Sequence, residues 1–141
     1  VTLAPGRTSL ERDEIIVAFS VERPSPGTAD AYLRFTPRTE MDIAVVGAAA
    51  RVTLDDEGRC RSARVVLGAV APTTIDVEGV GDALIDRAID EETLEAVARL
   101  SSEQANPIDD KRGTVDYRRH VAGVLTKRAL RIAAERAGLS K

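Results

Sequence analysis

The residues that could do chemistry are few: one histidine, one cysteine, two adjacent pairs of aspartates, and a band of bases near the C-terminus. The band reads NPIDDKRGTVDYRRHVAGVLTKRAL, from Asn106 to Leu130. His120 has no second ligand or acid spaced to use it, so it is expected as a lone residue on a helix surface. Cys60 opens a strand-like run and is expected to be small and half-buried. A metal site lacks a second His or Cys. No G-x-G-x-x-G or Walker loop occurs, and Gly79 and Gly81 read as punctuation between helices. Asp55-Asp56 falls in a turn and is expected to be solvated. Asp109-Asp110 precedes a helix start, where acids interact favourably with the macrodipole and bond nearby bases. A structural latch is the expectation there rather than a catalytic pair.

The bases raise the question of nucleic acid. From Asp109 to Lys141 there are nine Lys/Arg and four Asp/Glu, a net of +5 against −8 for the preceding 108 residues. The whole chain has a pI of about 5.3. Arg118, Arg119, Lys127, Arg128, Arg131 and Arg136 go round the helix rather than along one face, so no nucleic-acid partner is expected. Arg128 falls beside an apolar stripe of Tyr117, Val121, Val124, Leu125 and Ile132. A base in that stripe predicts an internal ion pair, with Asp109 or Asp110 as the partner.

The elements that must position these residues change character along the chain. Residues 1–13 read as a linker, 14–71 as a sheet and 72–141 as helices. Glu14–Glu22 is β-branched and ends at Pro24-Ser25-Pro26-Gly27. AYLRFTPR puts Tyr32, Arg34 and Thr36 on one face, with Leu33 and Phe35 on the other. DIAVVGAAARVTLDD and CRSARVVLGAV flank a Gly-containing turn and predict a hairpin. Ala71-Pro72 ends the sheet. A short helix is expected within VEGVGDALIDRAI. A second, capped by Asp90-Glu91-Glu92, runs to about Gln104 with Leu94 and Val97 inward. The last begins at Thr114, with Asp116 in its first turn, and stops at Gly138. Strands first and helices last predict one α+β domain: an antiparallel meander of three or four strands with three helices packed on one face.

With 43% apolar residues, two Phe, two Tyr and no Trp, the core must come from Val, Ile, Leu and Ala. A chain of 141 residues is long enough for such a core. The lone cysteine allows no internal disulfide and fits a reducing, cytoplasmic setting. No apolar run approaches the roughly 20 residues of a membrane helix. The opening VTLAPGRTSLERDEII has no initiator Met and reads like a cut through a longer polypeptide.

PIDDKRGTVDYRRHVAGVLTKRAL resembles the closing motif of the flavoprotein (medium) subunits of molybdenum hydroxylases, of carbon monoxide dehydrogenase and xanthine dehydrogenase type. PGRTSLERDEIIVAFSVERP is similar to the entry of their C-terminal domain, and YLRFTPRTEMDIAVVGAAARVTLDDEGRCRSARVVLGAVAPTT to its sheet. The resemblance spans essentially the whole chain. It implies a C-terminal fragment of an FAD-containing subunit that takes electrons from a [2Fe-2S] subunit, fed by a molybdenum cofactor subunit, and passes them to an acceptor. It also implies that the FAD phosphates are held by a preceding, N-terminal FAD-binding domain of the same subunit, and that the isolated fragment is inactive. Ile16 falls where an aliphatic residue touches the isoalloxazine ring, and Arg34 where a basic residue approaches it. Thr36–Asp42 follows as a loop over the ring, with Arg38 and Asp42 fixing it. The rival expectation is a subunit-docking module with no flavin contact.

Overall fold

The computed structural model describes residues 1–39 and 42–138. Four strands, β3 (Thr28–Phe35), β4 (Val46–Leu54), β5 (Cys60–Gly68) and β6 (Ile75–Asp76), form one antiparallel sheet in chain order. A separate small hairpin joins β1 (Thr2–Ala4) to β2 (Arg7–Thr8), inside the stretch expected as linker. The α+β meander is therefore as expected, but its membership differs in two places. Glu14–Glu22 is not a strand, and β6 lies beyond the Ala71-Pro72 boundary. Strand propensity is local, whereas a ladder needs a second edge. Among the described residues Glu14–Glu22 finds none.

The β4–β5 hairpin forms where its turn chemistry demands. Asp55 Oδ1 accepts from the Glu57 N–H at 3.1 Å and the Arg59 N–H at 2.7 Å. Gly58 takes the left-handed conformation (φ +77°) that the turn requires. Asp55 is thus a turn latch with a largely covered side chain, not the solvated acid expected from its setting. Those hydrogen bonds, chiefly from the Arg59 N–H, hold its carboxyl below the usual range.

Three helices follow: α1 (Val80–Leu84), α2 (Glu91–Gln104) and α3 (Val115–Ala137). Asp90 caps α2 reciprocally with Thr93. Thr114 caps α3 by accepting from the Tyr117 N–H at 3.2 Å, and Gly138 closes it at φ +113°. Alternate β4 residues, Val46, Ala48, Ala50, Val52 and Leu54, point inward, with Val65 and Leu67 of β5. α3 lies on β3 and β4, α1 on β5, and α2 against α3. Leu84, Val97 and Leu130 complete the core. Each such side chain contributes about 1.5–3 kcal/mol when fully buried.

The buried stripe of α3 is made of small residues: Ala122, Gly123, Thr126, Ala129, Ala133 and Ala134, with Leu125 and Leu130. They let the helix approach closely. A Cβ on Gly123 would come within 2.8 Å of the Ala98 carbonyl oxygen and 2.5 Å of Ser102 Oγ, both on α2. Near its C-terminus α3 reaches the outermost strand, where Arg136 donates to the Asp30 carbonyl at 2.8 Å.

Candidate functional site

The helices cover one face of the sheet. On the other face the pleat of β3 presents Asp30, Tyr32 and Arg34, all exposed. β4 adds Gly47, Ala49 and Arg51, and β5 adds Arg64, Val66 and Gly68. Register aligns them in rows: Arg34, Gly47 and Gly68 in one, Tyr32, Ala49 and Val66 in the next. The Tyr32 ring lies over Gly47, where an added Cβ would meet its hydroxyl at 2.8 Å. Space in front of Gly68 is open, with no atom within 4 Å of where a Cβ would stand. This face thus makes a shelf that is open at Gly68, covered by the Tyr32 ring at Gly47 and edged by the Arg34 guanidinium. A planar group with a polar rim could pack there, with Arg34 supplying a positive charge at its edge.

A polar chain anchors the loop that follows β3. The Arg38 guanidinium lies 3.5 Å from Asp42. Asp42 also meets the Arg112 guanidinium at 3.4 Å, and Arg112 lies 3.5 Å from Asp110. Asp110 accepts from the Arg112 N–H at 2.8 Å and pairs with Arg118. Arg118 is buried and donates to the Val45 carbonyl at 3.2 Å and to the Gly113 carbonyl at 3.3 Å. The segment leading into α3 and its first turn therefore grip the C-terminal end of the loop, at Asp42 and Val45. Burial pushes the Asp42 carboxyl up, but the Ile43 N–H and the guanidiniums of Arg112 and Arg38 outweigh it and hold the group low. The Arg112 N–H, and then Arg118, hold the Asp110 carboxyl low.

The acid expected as a latch is present, but its partner differs. Arg118 and Arg112 take Asp110, while Arg128 is exposed and lines a cleft between α2 and α3, and Asp109 is exposed. The reason is the stripe: Arg118 shares a face with Ala122, Leu125, Ala129 and Ala133, at steps of four and three. That spacing was available in the sequence, but alanines weigh less than Tyr117, Val121 or Ile132 in any apolar pattern. Tyr117 is half exposed and meets Phe35 edge-on, with ring centroids 6.3 Å apart. Cys60 is fully rather than half buried, which pushes its thiol up. His120 is exposed beside the same cleft, which has a volume of about 620 Å³. Ile16 lies in the irregular segment before β3, and no ladder joins it to Arg34. A second cleft, of about 490 Å³, runs from Ile43 and Ala44 to Ile108, with Asp110 and Arg118 in its wall.

The sequence and fold are similar to those of known proteins. The chain is 31% identical over 135 residues to the xanthine dehydrogenase FAD-binding subunit of Escherichia coli O157:H7, covering 95% of this chain and 46% of that one. It is 32% identical over 130 residues to the carbon monoxide dehydrogenase medium chain of Afipia carboxidovorans, covering 92% and 44%. It superposes with a TM-score of 0.78 and 31% identity on carbon monoxide dehydrogenase from Hydrogenophaga pseudoflava, over 96% of this chain and 46% of that one. The chain spans somewhat under half the length of these relatives. Residues 31–133, which include the shelf, the loop and the Asp110–Arg118 latch, match the family described as CO dehydrogenase flavoprotein C-terminal domain, and the chain belongs to that family.

Proposed function

We propose that this chain is the C-terminal domain of an FAD-containing electron-transfer subunit of a molybdenum hydroxylase, and that its uncovered sheet face closes one side of the flavin pocket. Electrons pass from a [2Fe-2S] subunit, fed by a molybdenum cofactor subunit, to an acceptor. The observation that carries this reading is the glycine shelf edged by Arg34 on the only large sheet face that the helices leave bare among the described residues. The names of the relatives support it, since one is an FAD-binding subunit and the others are carbon monoxide dehydrogenase components.

The residues fit the ring of FAD rather than its phosphates. A pyrophosphate needs convergent backbone N–H groups at a glycine-rich turn. The chain carries neither nucleotide-loop motif, and Gly47 and Gly68 lie within strands, where Gly47 seats the Tyr32 ring and Gly68 leaves open space instead of donating. When bound, the flavin supplies the redox chemistry. Arg34 would place a positive charge at the edge of the ring and so favour the anionic reduced form over the neutral oxidised one. Ile16 would cover ring surface. Arg38 and Asp42 hold the loop that excludes water, and Arg112, Asp110 and Arg118 hold Asp42 and Val45 in turn. The activity belongs to the assembly, and the isolated chain is inactive.

Redox titration of the complete flavoprotein carrying Arg34→Met tests the reading. The potential should fall, by about 30 mV for each 1.4 kcal/mol of lost electrostatic preference, while FAD content stays near that of the unmodified protein. An unchanged potential at full FAD occupancy would leave Arg34 a surface charge. The rival docking module is favoured by one observation: Arg99, His120 and Arg128 line the α2–α3 cleft. Loss of subunit assembly in Arg99→Glu with Arg128→Glu, alongside a silent Arg34→Met, would select it.

A further inference from the structure

Glu14–Glu22 has the composition of a strand and lacks a sheet. Ile15, Val17, Phe19 and Val21 alternate along one side of the backbone and are 79%, 89%, 81% and 89% exposed. Among the described residues, the backbone groups of Ile15–Arg23 make no backbone hydrogen bond. A row of large apolar groups is unfavourable in water, a run of free amides offers a ladder, and one kind of surface takes up both together, the edge of another sheet. Other occupants fit less well. A helical groove would read positions three and four apart, not every second one. An anionic membrane would be repelled by Glu11, Asp13, Glu14 and Glu22. The chain's own β3 is the nearest edge in sequence, but Arg136 already occupies its Asp30 carbonyl.

We infer that Glu14–Glu22 docks by strand addition onto a sheet in the FAD-binding half of the subunit, burying Ile15, Val17, Phe19 and Val21 against it. This rests on the proposed function above, and on the relatives being somewhat more than twice as long as this chain. Period-two geometry adds a consequence. With the odd-numbered residues buried in the other half, Ile16 projects from the opposite side of the same strand. Docking is then the event that carries Ile16 to the ring, which explains why the chain alone does not join it to the shelf.

Hydrogen exchange resolved by residue tests the docking in the complete subunit, with the 141-residue chain as reference. Amides between Ile15 and Val21 should exchange at the unprotected rate in the chain and at least 100-fold slower, at alternate residues, in the FAD-loaded subunit. Arg12 and Arg23 flank the segment, so trypsin should cut there readily in the chain and slowly in the subunit. Val17→Lys with Phe19→Lys should restore cutting in the subunit and leave the melting temperature of the isolated chain unchanged, since both side chains are solvated in it. Equal exchange in chain and FAD-loaded subunit would overturn the inference while leaving the proposed function standing. A complete subunit that takes up no FAD would sink the proposed function itself, whatever the exchange shows. Protection in the isolated chain together with a dimer in sedimentation would assign the strand to a second copy and overturn the inference.

Discussion

Replacing Arg118 by Met keeps the stem and removes the guanidinium from a site that is 3% exposed. Three acceptors each lose a donor, and among the described residues only the Val45 carbonyl is left with none. The Val45 carbonyl belongs to a residue with no exposed surface, and leaving such a group unsatisfied costs about 1–3 kcal/mol. The Gly113 carbonyl keeps the Asp110 N–H at 3.3 Å and its bond from Arg118 is long, so that loss adds about 0.5–1 kcal/mol. Asp110 can turn to water and keeps Arg112, so it adds little. The sum is about 1.5–4 kcal/mol. At roughly 3–4 °C per kcal/mol for a domain of this size, melting should fall by about 5–16 °C. Arg118→Lys should be intermediate, because a point ammonium can reach Asp110 or Val45 but cannot fork to both as the guanidinium does. Arg128→Ala serves as the control, within about 0.5 kcal/mol of the unmodified chain, as is usual for an exposed side chain. Far-UV circular dichroism melts, checked by urea unfolding with an unchanged m-value, decide it. An Arg118→Met variant melting within 2 °C of the parent (on the order of the control) would mean that water satisfies Val45 and that the latch does not hold the loop.

Four further outcomes are expected. Asp42 and Asp110 are held below the ordinary carboxylate range in the folded chain, so the stability they contribute is complete above about pH 4 and is lost as pH falls through their lowered values. Acid unfolding followed by circular dichroism should therefore be shallower in Asp42→Asn with Asp110→Asn, and a parallel curve would contradict the assignment. Gly123→Ala should destabilise by about 1–3 kcal/mol despite alanine's better helix propensity, because α2 and α3 must separate to admit the methyl; an unchanged urea midpoint would show that the helices yield freely. Gly27→Ala should cost more than about 2 kcal/mol, since φ is +72° and the Cβ would meet the Leu54 carbonyl oxygen at 2.6 Å; wild-type melting would argue against that contact. Flavin fluorescence should reveal no complex between FAD and the isolated chain at micromolar concentrations, about −8 kcal/mol, and a stoichiometric one would relocate the phosphate site.

Sequence reasoning reached furthest where the determinants are local. The ends of α3 follow from Thr114, Asp116 and Gly138, and the β4–β5 hairpin from its Gly-containing turn at Gly58, because capping and turn geometry involve neighbours only. The alternation of Tyr32 and Arg34 against Leu33 and Phe35 likewise predicts which faces of β3 are bare and covered. It failed where the determinant is distant. Glu14–Glu22 has every local mark of a strand, yet nothing local says whether an edge will be there to pair with it. The buried side of α3 was displaced toward its bulky residues, because apolar periodicity measures size while close helix packing selects alanine and glycine. Arg118 was thereby overlooked in favour of Arg128, and Asp110 was given the wrong base. The reach of Arg112 back to Asp42, 70 residues earlier, has no signature in the spacing of either.

The contact from Arg136 to the Asp30 carbonyl has a bearing on what the protein avoids. β3 is the terminal strand of its sheet, and a bare terminal strand can template growth by any compatible chain. This chain also carries an unpaired β-prone segment, so two copies could propagate head to tail, each lending its Glu14–Glu22 to the β3 of the next. A bulky cation seated on that edge by the last turn of α3 stands in the way of such polymerisation, and its removal would be felt first in solubility at high concentration, before any loss of fold.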